Sequence, residues 1–187
     1  MPKINIKALA CGLVLMTAAC QTRPAEVRQN VTSQFFFDLK GYFEKEAERL
    51  NAAQPRLKKT VAVNGKSEEK TLTEQDYEKE LAVFLNADIN RPAWLDQYQI
   101  DSTLTTGRLQ SIRYRATSPK LQVQEIRIAF DQGKVSEIII DKKADNIVAG
   151  STQHLEYRPE TGYQIRSLQE TAIAKGKELS ISVRFLQ

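Results

Sequence analysis

The chain has 187 residues, 41% of them hydrophobic and 27% charged, with only eight glycines and six prolines. That composition is globular and excludes a collagen-like or disordered chain. The formal charge is +4, but without Lys3 and Lys7 it falls to 25 basic against 23 acidic side chains, evenly scattered; nucleic acid binding needs concentrated positive charge to release counterions, so no nucleic acid partner is expected.

Lys3 and Lys7 form a basic start, and Ala8 to Met16 is an apolar run about half as long as a membrane-spanning helix requires. Thr17, Ala18 and Ala19 then place small side chains ahead of Cys20. This stretch resembles the leader of a bacterial lipoprotein precursor. Ala18, Ala19 and Cys20 match the lipobox of that family, with Thr17 where leucine is usual. The resemblance covers only the leader. It implies a signal peptide over 1–19, cleavage after Ala19, and a diacylglycerol and then an N-acyl chain such as palmitate on Cys20. It also implies an anchor and tether over 20–32, and Gln21 in place of aspartate implies sorting to the outer membrane, facing the periplasm. Two acyl chains hold a protein stably on a bilayer, each buried methylene contributing roughly 0.8 kcal/mol. Thr17 and Ala19 also suit ordinary signal-peptidase cleavage, and a core cysteine behind a coincidental leader is the other alternative. Cleavage would discard Cys11, leaving no internal disulfide and no thiol nucleophile.

The tether, QTRPAEVRQNVT, has little apolar content, and the sequon Asn30-Val31-Thr32 has no meaning behind a bacterial leader. A single domain is expected over 33–187. Its first helix is capped by Ser33, stopped by Pro55, and carries Phe36, Leu39, Phe43, Ala47 and Leu50 at helical spacing, with Phe35, Phe37 and Tyr42 widening the apolar face. Asn64-Gly65 between extended runs is a hairpin turn needing positive φ at both residues. Thr73 is the expected cap of a second helix, with Asp76 three positions on and Tyr77, Leu81 and Phe84 on its buried face; Pro92 stops it.

From Tyr98 onward the period is two. Tyr98, Ile100 and Leu104 alternate, as do Ile112, Tyr114 and Ala116, and Leu179, Ile181, Val183 and Phe185. Leu121 and Val123 are odd, whereas Ile126, Ile128 and Phe130 are even, so a β-bulge is expected near Gln124 and Glu125. With turns at Asp131–Lys134 and Pro159–Gly162, this half reads as an antiparallel meander of six or seven strands. The fold class is α+β: two helices and a hairpin packed on a long curved meander, like a partial barrel. In element order it resembles periplasmic lipoproteins built as an incomplete barrel closed by helices, such as the lipoprotein-carrier family, though no motif of that family is present.

Catalytic groups are scarce. Gly65-Lys66-Ser67 fails as a phosphate loop because Thr60 stands where the first glycine is needed. DKKADN over 141–146 lacks the oxygen spacing and glycine of a calcium loop. His154, the only histidine, shares a polar strand face with Thr152, Glu156 and Arg158 and reads as solvated; alone, it supports neither a zinc site nor a triad with an identifiable serine. No metal, cofactor or catalytic residue is expected.

The polar face of the meander carries Arg113, Arg115, Arg127, Arg158, Arg166 and Arg184, with Glu156. Arginine can hold carboxylate or phosphate bidentately, which makes these residues candidates for ligand or partner binding. Alternatively their stems cover the outer sheet face and deter edge pairing. Trp94, the only tryptophan, is either a plug joining helix to sheet or an exposed contact residue. The expected function is a non-enzymatic, lipid-anchored envelope protein that binds or assembles with an envelope protein or a small amphiphile. The alternatives are a carrier or chaperone holding an apolar ligand between helices and sheet, for which a cavity lined by Phe and Ile is required, and an envelope hydrolase built on paired carboxylates.

Overall fold

A computed structural model of the chain describes residues 36–145, 149–171 and 176–186, all within a unit spanning 34–187. The leader, Cys20, the tether, Ser33 and Phe35 lie outside the described residues.

The first helix, α1 (Leu39–Ala53), starts at Asp38, whose carboxylate accepts the Gly41 N–H. Ser33 is therefore not its cap. The reason is tertiary: the Phe36 N–H donates to Asn90 Oδ1 at 3.3 Å, the Phe37 N–H donates to the Tyr114 hydroxyl at 2.9 Å, and the Asn90 amide donates to the Phe37 carbonyl at 2.9 Å. These bonds hold the two phenylalanines out of the helix, and Phe36 sits edge-on to Tyr98 and Tyr114. At the other end Gln54 takes φ 39° and its N–H closes the last turn onto Leu50. The second helix, α2 (Tyr77–Leu85), is capped by Asp76, not Thr73, and its first N–H donates to Asn51 of α1.

Nine strands form one antiparallel sheet among the described residues: β1 (Leu57–Val63), β2 (Lys66–Leu72), β3 (Tyr98–Thr105), β4 (Arg108–Ala116), β5 (Val123–Asp131), β6 (Lys134–Asp145), β7 (Ala149–Arg158), β8 (Gly162–Thr171) and β9 (Lys177–Phe185). Their order is β2-β1-β9-β8-β7-β6-β5-β4-β3, so the sheet does not close and β2 and β3 are its edges. The meander has seven strands, and the β1–β2 hairpin extends it through β1 paired to β9, Leu57 facing Phe185 and Val63 facing Leu179. Three hairpins share one turn chemistry, with positive φ at both central residues: Asn64-Gly65 (49° and 81°), Thr106-Gly107 (49° and 76°) and Gln132-Gly133 (50° and 80°). The bulge expected near Gln124 is present, as the β5–β6 register shifts between Val123 and Glu125.

One sheet face meets the helices. Tyr114, Ile126, Ile128, Ile138, Ile140, Leu155, Tyr157, Tyr163 and Val183 are buried there with Leu39, Phe43, Leu50, Leu81 and Phe84. Phe43 stacks on Phe84 at 5.0 Å, and both meet Tyr157 edge-on at 5.1 and 5.9 Å, so side chains fill the space at the centre of the layer. Two helix carboxylates brace this contact. Glu46 accepts from the Tyr157 hydroxyl at 2.5 Å and from the Arg49 guanidinium at 2.9 and 3.1 Å. Glu80 accepts from the Tyr163 hydroxyl, from Lys59 at 2.6 Å and from Gln75 at 3.0 Å.

Gly162 has φ 130°, and a Cβ there would overlap the Val183 carbonyl. Gly162→Ala is therefore expected to cost roughly 3 kcal/mol, read as a lowered urea midpoint. A second outcome concerns alkali. Burial first, and then the bonded carboxylates Glu46 and Glu80, raise the Tyr157 and Tyr163 hydroxyls well above their ordinary value of 10, and burial pushes Tyr98 up to about 12. The unfolded chain ionises these groups near pH 10 while the folded chain keeps their protons. Stability is thus fully present below about pH 10 and falls as pH rises beyond it. Urea titrations between about pH 9 and 11 should show that fall, and it should be shallower in Tyr157→Phe.

Candidate functional site

Strand alternation puts the arginines on the face turned away from the helices. Arg113 and Arg115 flank buried Tyr114, Arg127 lies between buried Ile126 and Ile128, and Arg158 follows buried Tyr157. Cross-strand register then brings them together. Arg115, Glu125, Asp141, His154 and Arg166 are successive neighbours across β4 to β8. In the adjoining row Arg113 faces Arg127, an arrangement that is repulsive on its own.

Glu125 resolves that repulsion. Its carboxylate lies 3.0 Å from Arg127 Nε, 3.8 Å from Arg113 Nε and 4.0 Å from Arg115 Nε. The Arg127 contact is an ion pair and not an aligned hydrogen bond, because Nε is buried without a bond partner in line. Asp101 holds Arg115 at 2.5 Å, and Asp141 holds Arg127 at 3.4 Å. Arg158 is gripped by Glu156 and by Glu137 at 2.5 Å. Arg166 and Arg184 differ: among the described residues neither has a carboxylate within ion-pair distance, and Arg166 donates only to Gln164, at 3.2 Å.

His154 is not a free solvated side chain. Its Nδ1 lies 2.7 Å from Asp141 Oδ1, and its side chain is one-third exposed at 33%. Asp141 thus bridges His154 and Arg127. Among the described residues His154 bonds no hydroxyl or thiol, and no three His, Cys, Asp or Glu side chains converge as metal ligands.

Two depressions interrupt this face. One of about 480 Å³ is lined by Glu156, Arg158, Gly162, Gln164, Ser182 and Arg184. The other, of about 610 Å³, is lined by Asp141, Lys143, Thr152, His154, Arg166 and Leu168 among others. Each contains one of these two arginines, although, after the hydrogen bond from Lys58, the Arg184 charge also helps hold the nearby Glu69 carboxyl below its ordinary value. What the face offers chemically is bidentate hydrogen bonding to an incoming carboxylate or similar anion, beside carboxylates that could meet a cation.

Trp94 does not join this site. It lies in a 3-10 turn at Pro92–Trp94, packs half-buried against the core, and has the Arg91 guanidinium 4.4 Å from its ring centroid. The carboxylates Asp101, Glu125, Glu137 and Asp141 were absent from the sequence-level candidates. Parity could have found Glu125, which shares the odd phase of Arg127 once the bulge at Gln124 is placed; the others needed the cross-strand register.

Because the arginines around Glu125 are 39–48% exposed, their pairing contributes little to stability. Glu125→Gln should cost no more than about 1 kcal/mol at low salt, and less as salt screens the three arginines from each other. Thermal melts at two ionic strengths check both points.

No protein-family model matches this chain, and neither the curated proteins nor the solved structures contain a match to it.

Proposed function

We propose that this chain is a lipid-anchored protein of the bacterial cell envelope that binds or assembles with another envelope protein and carries no catalytic activity. The observation that carries the proposal is the leader ending in Ala18-Ala19-Cys20. No helix among the described residues is long and apolar enough to cross a membrane; in this reading attachment falls to the acyl chains on Cys20, on the periplasmic side of the outer membrane. In the same reading residues 20–32 serve as the tether, and the open sheet of the domain curves about its two helices as a partial barrel.

Binding is assigned to the arginine face. Arg113, Arg115, Arg127 and Arg158 are already neutralised by carboxylates and shape the surface, while Arg166 and Arg184 are left to meet an acidic group of the partner. Such pairs contribute more to specificity and encounter rate than to affinity. The carrier reading is disfavoured by Phe43, Phe84, Ile126 and Ile138, which fill the layer between helices and sheet with at most 1% exposure.

The test has two arms. Metabolic acyl labelling should mark the wild-type chain and not Cys20→Ala, and an unlabelled wild type would remove the anchor from the proposal. Crosslinking in the native envelope should then capture one specific protein, with the yield cut severalfold by the pair Arg166→Glu and Arg184→Glu. Recovery of no specific partner would overturn the binding assignment.

A further inference from the structure

The two sheet edges are protected unequally. Edge β2 carries Lys66, Glu68, Glu69 and Lys70 along its length, the usual guard against pairing with another chain. Edge β3 has one charge, Asp101, and that carboxylate is taken by Arg115. It also exposes Ile100 at 53% and Leu104 at 60%. Alternation expects these two residues in the core with Tyr98; they share its face but lie uncovered.

The backbone of β3 is also available. The β3–β4 irregularity leaves its extra residue, Gln110, on β4, since Thr103 faces Ser111 and Leu104 faces Leu109. Strand β3 therefore runs unbroken. The Gln97 carbonyl accepts from the Thr117 N–H at 2.9 Å, which fixes the phase of this ladder. Odd-numbered residues turn their N–H and C=O groups towards β4. The same groups of Ile100, Ser102 and Leu104 point outward from the sheet.

We infer that β3 is a self-association edge, pairing antiparallel with β3 of a second copy about a two-fold axis at Ser102. The argument is self-complementarity. In that register Ser102 faces its own counterpart, Ile100 faces Leu104 of the second copy, and Leu104 faces Ile100. All three positions have outward backbone groups, so about six interchain hydrogen bonds form. Apolar side chains meet on one face, and Asp101 faces Thr103, so the two carboxylates do not oppose each other. A two-fold contact of this kind closes on itself and ends at a dimer, because the other edge is guarded by charge. The pairing does not depend on Cys20 or on the arginine face.

Thiol crosslinking of the full chain, wherever in the cell it is recovered, tests it. The two Ser102 Cα atoms would lie about 5.5 Å apart, within reach of a short thiol-to-thiol crosslinker. Ser102→Cys should give a species of twice the chain mass, severalfold above both the unsubstituted chain and Lys70→Cys on the opposite edge. Adding Leu104→Lys should remove most of it, with protease resistance of the domain unchanged at this exposed position. The inference is overturned if Ser102→Cys dimerises no better than Lys70→Cys, if its product has the mass of a different protein, or if Leu104→Lys leaves the yield intact. A heterologous product from the arginine face is a separate species, so the two assignments fail independently.

Discussion

Glu46 and Glu80 are helix carboxylates drawn largely out of water, with 14% and 18% of their side chains exposed. Charges so placed are tolerated only when their hydrogen-bonding capacity is met. Each is met by a tyrosine from the middle of the sheet and a cation at the rim: Tyr157 with Arg49, Tyr163 with Lys59. Sliding either helix by one turn would strand a carboxylate against apolar side chains. The aromatic cluster supplies the attraction and the two carboxylates select the alignment.

That alignment decides what the other face can be. With one side of every central strand committed to the helices, the opposite side must hold whatever the alternation leaves, and here it leaves arginine and acid. Direct neighbours on five strands then interdigitate positive and negative groups, so most of the charge is internally balanced. A surface of this sort has little net field and considerable local contrast. It suits a partner with a matching pattern better than one with mere bulk charge.

Much of this was legible in residue order. Helical spacing located both helices, Asn64-Gly65 located the first hairpin, and the change of parity after Val123 located the bulge. The helix starts were not legible, because Ser33 and Thr73 are sound caps locally; Asn90 and Tyr114, remote in sequence, straighten the segment before Asp38. Nor did alternation reveal that Ile100 and Leu104 are uncovered. A period of two says which face a residue shares and nothing about how far the helices above that face extend. Likewise the arginines were visible as a class, while their partners Asp101 and Asp141 depended on which strands became neighbours.

The pairing of β1 with β9 ties residue 57 to residue 185, and the Leu186 N–H closes the clasp on the Arg56 carbonyl at 2.8 Å. Such a contact spans nearly the whole domain, so its loop-closure entropy must be met before it yields any stabilisation. The seven-strand meander can zip up from local hairpins, but the β1–β2 hairpin has no seat until the final strand exists. Until β9 is in place, that hairpin has no strand of the meander to pair with. Seating of that hairpin is therefore gated by β9, which follows the other eight described strands in chain order.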